Sequence, residues 1–247
     1  MISTRQVFVE GIGTFVVPND TPEHSDDGEK CIRSVCGRHD PNLARSLGEW
    51  GTRCGQEYSY RRELAETVFS VLDIGHNVGG FTVWASRYWW ADTIGVVYAY
   101  DPNPGCTEML AMNLRLVQRG VVVHADCSAV TAEANPVLTV DACWGRSSTH
   151  DALNAHPDSS ARERIQVHAV HPRDLPAVDA MKLDAEGAES DIIDHYPHWD
   201  GVRVLMIEWH THEARVKMHD LAKRQGWRLA KNDCGDDVQG VACWVRP

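Results

Sequence analysis

The chain has 247 residues, with 35 Asp and Glu against 24 Lys and Arg and a net charge of -11. That length holds one well-buried α/β domain with a modest extra segment and leaves no room for two large domains. The acidic balance disfavours a protein that grips phosphate backbones, because such affinity comes from neutralising charge with basic patches, so no nucleic-acid partner is expected.

Residues 1–66 read as an N-terminal extension that serves as a lid: a strand-like GTFVVP, the acidic, turn-rich NDTPEHSDDGEK, and LARSLGEW with the pattern of a short helix. The opening MISTRQVFVEG lacks a charged region followed by a long apolar stretch, and no run approaches the ~18 apolar residues that span a bilayer. A cytoplasmic chain with no membrane partner is the expectation. Eight cysteines without a CxxC pair read as reduced thiols. His150, His156, His168 and His171 fall in a polar stretch without the paired spacing of a structural zinc site.

Residues 67–247 form the second unit. The spacing predicts strand 68–74, helix 79–91, strand 96–100, helix 105–118 and strand 121–125. A polar interruption over 135–176 carries a hairpin in PVLTVDACW and a strand in IQVHAV. The rhythm resumes with strand 178–183, helix 187–195, strand 202–208, helix 212–225 and two closing strands, WRLAKN and QGVACWVRP, joined by a short polar turn. Alternation of this kind gives a mostly parallel α/β sheet with helices on both faces, and the terminal hairpin makes the last of seven strands antiparallel. Trp84, Trp89 and Trp90 lie on a helix beside that sheet, where packing into the core is the commoner use of the ring.

The candidate site residues sit where strands end. VLDIGHNVGGFT is an apolar strand running into a glycine-rich turn, and Tyr100-Asp101 closes the next strand. Gly75 and Gly79 let backbone amides approach a ligand, and Asp101 is placed to accept hydrogen bonds from two ribose hydroxyls. Asn77 stands where a dinucleotide GxGxxG turn needs glycine to close on a pyrophosphate, and Asp73 can sit beneath a zwitterionic amino-acid tail, which together favour S-adenosylmethionine over NAD. Asp126, ending the third strand, is a candidate acceptor for the exocyclic amine of adenine. DAMKLDAEGAES delivers Lys182, Asp184 and Glu186 toward a helix, so Asp184 and Glu186 are candidates for orienting or deprotonating an acceptor hydroxyl, while Glu186 and Glu189 also suit a helix N-terminus. MIEWHTHE adds Glu208, His210, His212 and Glu213, with His210 a natural general base; its HxHE spacing is a weak match to a metal site, and no metal is expected.

VLDIGHNVGGFT, YAYDPNP, LAMNLRL and, above all, MKLDAEGAESDII followed by LMIEWH resemble the FkbM-like family of S-adenosylmethionine-dependent methyltransferases, over roughly residues 68–210. The resemblance implies the class I methyltransferase sheet (Rossmann-like), methyl transfer to oxygen on a small molecule or sugar, and cofactor contacts from Asp73, Gly75, Asn77, Gly79, Thr82 and Asp101. His76 and the long polar insert at 141–164 depart from the family pattern. The leading expectation is an O-methyltransferase acting on a hydroxyl of a small metabolite, with a homodimer allowed. A carboxylate acceptor is the alternative and would call on cations such as Lys182, Arg146 and His150. A nonenzymatic adenosine-binding domain is a third reading, disfavoured by acids at both the fourth and fifth strand ends.

Overall fold

The unbroken apolar runs of the central strands are those of a sheet covered on both sides, and every residue of Val71–Ile74, Ala180–Leu183 and Val204–Trp209 is buried. A computed structural model describes residues 4–9, 13–18, 68–90, 93–117, 119–134, 136–141, 162–235 and 240–247. In chain order its elements are β1 (Thr4–Val9), β2 (Gly13–Pro18), β3 (Ser70–Ile74), α1 (Gly80–Tyr88), β4 (Gly95–Tyr100), α2 (Pro104–Asn113), β5 (Val121–Asp126), β6 (Ser128–Val130), β7 (Val137–Asp141), β8 (Arg162–Gln166), β9 (His168–Val170), β10 (Ala180–Leu183), α3 (Glu189–His195), β11 (Val204–Trp209), α4 (His212–Gln225), β12 (Arg228–Gly235) and β13 (Gly240–Val245).

Seven of these strands form one sheet in the order β12-β13-β11-β10-β3-β4-β5. All neighbours from β11 to β5 pair in parallel, whereas β13 is antiparallel to both β11 and β12. The expected antiparallel last strand is therefore present, slotted between the fifth and sixth. This is the class I methyltransferase arrangement. Strand order reverses between β3 and β10, which opens a crevice at their carboxyl ends.

The period of two along each strand divides the core. Val71, Val97, Ala99, Ala180, Val204 and Met206 face α1 and α2 through Phe81, Trp84, Met109 and Leu110. Leu72, Ile74, Met181, Leu183, Leu205 and Ile207 face α3 and α4 through Ile192, Ile193, Met218 and Leu221. The three tryptophans do pack into the core: Trp84, Trp89 and Trp90 are buried, and the Trp90 indole N–H donates to the Val68 carbonyl. No helix among the described residues is long and apolar enough to cross a membrane.

Three segments differ from the sequence expectations. PVLTVDACW is not a hairpin in itself: its strand, β7, pairs antiparallel with β8 across residues 142–161. IQVHAV is divided between the end of β8 and the short β9, which runs parallel to β6. GTFVVP is a strand as expected, but it has a partner in β1, which the sequence did not mark. That hairpin meets the sheet through Asn113 at the end of α2. The Asn113 side chain accepts from the Val16 N–H at 2.8 Å and donates to the carbonyls of Val16, at 3.0 Å, and of Val78, at 2.9 Å. One buried amide thus serves the hairpin and the glycine-rich turn together. The rest of the expected lid lies outside the described residues.

Asn113→Ala removes all of these bonds and is expected to lower unfolding free energy by about 2 kcal/mol, read by chemical denaturation. An unchanged denaturation midpoint would show that the hairpin is not anchored in this way.

Candidate active site

The crevice is built by two turns pressed together. After β3 the chain passes through Gly75 at φ 74°, Asn77 at φ 49° and Gly79 at φ 87°; after β10 it passes through Glu186 at φ 47° and Gly187 at φ 110°. A Cβ on Gly75 would lie 1.8 Å from the Asp184 carbonyl oxygen, so only glycine lets the turns meet. Asn77 and Glu186 hold a left-handed backbone without being glycine, a cost of ~1–2 kcal/mol each that the surroundings sustain.

Lys182 ties the turns from below. Its ammonium donates to the Ile74 carbonyl at 3.1 Å and to the Gly75 carbonyl, and it lies 3.2 Å from Asp184 Oδ2 and 3.8 Å from Asp73 Oδ1. Expected as an acceptor-binding cation, Lys182 is instead buried and engaged with the turn. Arg146 and His150, its companions in that expectation, lie outside the described residues. Asp73 is fully buried; its Oδ2 accepts from the Thr82 hydroxyl at 2.6 Å, and its Oδ1 has no hydrogen-bond partner.

A cleft opens above these turns, lined among others by Gly75, Asn77, Tyr100, Asp101, Asp184 and Glu186. Asp101 is buried at the tip of β4. One of its oxygens accepts from the Asn77 N–H and the other from the Asn103 N–H, each at 2.9 Å, which leaves one lone-pair direction on each oxygen for a ligand. Burial pushes its carboxyl above the usual carboxylate range, against the opposing pull of His76, the two amides and Lys182. Of the expected cofactor contacts, Gly75, Asn77 and Asp101 line the cleft, while Asp73, Gly79 and Thr82 stand behind the turn and shape it. Asp126 is exposed, accepts from the Ser128 hydroxyl and does not line the cleft. Ser128, Ala129, Val130 and Cys106 line the wall where Asp126 was expected.

Asp184, Glu186 and His210 do come together, and two acids join them. The His210 ring is buried with Nδ1 3.0 Å from Glu189 Oε1 and Nε2 3.4 Å from Glu186 Oε2 and 3.6 Å from Glu208 Oε1. Burial alone would lower the His210 pKa, but the hydrogen bond to Glu189 and the charges of Glu186, Glu189 and Asp184 outweigh it and raise it to about 10. These contacts favour the imidazolium form, which disfavours the expected role of general base. Burial pushes the Glu186 carboxyl upward, and Asp184, Glu208 and Glu189 push the same way against His210. Glu186 is thereby disposed to hold a proton near neutral pH.

Glu189 is the residue whose importance the sequence concealed. It is fully buried at the start of α3, and its Oε1 accepts from the Ala185 N–H at 3.0 Å and the Gly187 N–H at 3.1 Å as well as facing His210. The bend that carries Glu186 is therefore fixed by the same oxygen that fixes the imidazole. His212 and Glu213, the other half of the HxHE spacing, are exposed on α4.

No family model matches the sequence, and no curated protein matches it significantly. Among solved structures the chain is similar to a tRNA (uracil-54, C5)-methyltransferase of Pyrococcus abyssi in complex with S-adenosyl-L-homocysteine, at 10% identity and TM-score 0.44, covering 98% of this chain and 43% of that one. It is similar to a putative O-methyltransferase of Klebsiella pneumoniae at 15% identity and TM-score 0.44, over 88% of this chain and 95% of that one. A ribosomal protein L11 methylase of Lactobacillus delbrueckii subsp. bulgaricus matches at 12% identity and TM-score 0.41, over 81% and 82%. The chain spans less than half of the first of these. Likenesses this distant say nothing of reaction or acceptor.

Glu189→Ala leaves two buried amides and an imidazole without their acceptor, and is expected to cost about 3 kcal/mol or more of stability, measured by denaturant unfolding. A loss below about 1 kcal/mol would show that the 185–187 bend is held by other contacts.

Proposed function

We propose that the protein is an S-adenosylmethionine-dependent O-methyltransferase, related to the FkbM-like enzymes, that acts on a hydroxyl of a small metabolite or sugar-like molecule. The observation that carries this reading is the shared cleft: Asp101, buried and with one lone-pair direction left on each oxygen, lines the same cavity as Asp184 and Glu186. The residues fit the cofactor on two grounds. Asn77 stands where a pyrophosphate site needs glycine, and Asp101 is suited to a ribose diol.

Bound there, S-adenosylmethionine supplies a methyl group on a sulfonium already activated for transfer. The chain then has chiefly to position the acceptor, and orientation can contribute ~7 kcal/mol or more. Asp184 and Glu186 hold the acceptor hydroxyl in line, and the ionised form of Glu186 receives its proton. His210, cationic between Glu186 and Glu189, keeps Glu186 in place. The cluster's carboxylates outnumber its two cations, Lys182 and His210, and so disfavour an anionic acceptor, which supports a hydroxyl over a carboxylate. The acidic chain as a whole points to a small molecule rather than a nucleic acid.

Two measurements test this. By calorimetry the chain should bind S-adenosylhomocysteine and ignore NAD, with Asp101→Ala weakening the former by roughly 1–3 kcal/mol; binding of NAD alone would sink the cofactor assignment. With an acceptor in hand, Asp184→Asn or Glu186→Gln should lower turnover about 100-fold or more with little change in cofactor affinity. Near-normal turnover of the double variant would leave these acids a structural role only.

A further inference from the structure

Asp184 and Glu208, one on the turn after β10 and one within β11, stand beside His210, which follows β11. One ligand atom from each of the three lies within 4.8 Å of the others. The imidazole is 6% exposed and turns Nε2 toward Glu186 Oε2 at 3.4 Å and Glu208 Oε1 at 3.6 Å. Both separations exceed the ~2.7–3.2 Å of a good hydrogen bond. They are close to the roughly 3.0–3.5 Å between adjacent ligand atoms on a cation bound at ~2.1 Å. The other ring nitrogen, Nδ1, faces Glu189 Oε1 at 3.0 Å, the carboxylate–histidine pairing that aims Nε2 at a metal. Glu189 is fully buried, and its second oxygen, Oε2, has no hydrogen-bond partner, so the wall behind the ring carries negative charge that hydrogen bonds leave partly unanswered.

We propose that Asp184, Glu208 and His210 form a site for a divalent first-row metal ion, with Glu189 orienting the imidazole. Two carboxylates with one imidazole suit Mn²⁺, Fe²⁺ or Zn²⁺ better than the larger Ca²⁺. A cation held there replaces the ring proton as the positive charge facing the acids. Of the three ligands Asp184 lines the cleft, so a metal held there would be placed to act as a Lewis acid on an acceptor oxygen. That last role rests on the methyltransferase reading above, whereas the ligand set does not. The site differs from the one the HxHE spacing suggested: His212 and Glu213 are exposed, and Glu213 pairs with Lys217.

The test uses the full chain stripped with a chelator, titrated with Mn²⁺ followed by electron paramagnetic resonance and with Zn²⁺ followed by calorimetry. At least one of the two ions is expected to bind one-to-one. Glu208→Gln and Asp184→Asn, both nearly isosteric, should each weaken it about 10-fold or more, while the double variant His212→Ala/Glu213→Gln binds as wild type. Thermal unfolding of each variant confirms that it is folded. Failure of both ions to bind one-to-one, wild-type affinity in both Glu208→Gln and Asp184→Asn, or loss of binding in the His212/Glu213 variant would overturn the proposal. S-adenosylhomocysteine calorimetry on the same samples reads the cofactor assignment separately: metal binding without cofactor binding keeps this site and removes the methyltransferase reading, and the reverse result removes the site alone.

Discussion

Everything in the cleft depends on how closely the turn after β3 approaches the turn after β10. The two strands are neighbours at the point where the sheet order reverses, so their ends converge on one spot. Gly75 allows the approach by lacking a side chain, and Lys182 makes it favourable by donating to both carbonyls at the end of β3 while facing Asp184. The proposed cofactor half and the proposed acceptor half are thus one mechanical unit. A change on either turn is felt on the other.

The second organising feature is a buried excess of negative charge. Asp184, Glu186, Glu189 and Glu208 gather around His210 and Lys182, and burial would make each of these charges costly alone. The arrangement answers part of that cost: Glu189 by two backbone amides and the imidazole, Asp184 by the ammonium. Glu186 sits on a strained backbone 3.4 Å from the His210 ring, and burial together with its acidic neighbours pushes its carboxyl toward the neutral form. A group that can carry a proton or release it near neutrality, at the edge of a cleft, is what an acceptor hydroxyl requires. Strain and an upward-pushed carboxyl coincide at this one residue.

The alternation of strand and helix from residue 68 onward was legible because buried parallel strands and amphipathic helices have different periods, and the terminal hairpin announced itself by its short polar turn. Pairings that skip over chain were not. The partner of β7 lies beyond residue 161, and no local pattern encodes such a contact. The site divides in the same way. Asp101, Asp184 and Glu186 were readable because they stand at the carboxyl ends of inner strands. Asp126 looked alike in sequence, but its strand is the edge of the sheet and its carboxylate faces solvent. Lys182 looked like a free cation because sequence cannot show that the carbonyls of a distant turn lie within its reach. Glu189 looked like an ordinary acid in the first turn of a helix; only the fold brings it to His210, 21 residues away. Residue type and strand position locate a cleft, whereas the contacts that tune its chemistry are tertiary.

The structure of the chain in complex with S-adenosylhomocysteine is the most direct test. The account predicts the ribose hydroxyls on Asp101, the amino-acid tail over the glycine-rich turn, and the sulfur turned toward Asp184 and Glu186. A nucleoside bound away from Asp101, or a sulfur facing away from the two acids, would contradict it.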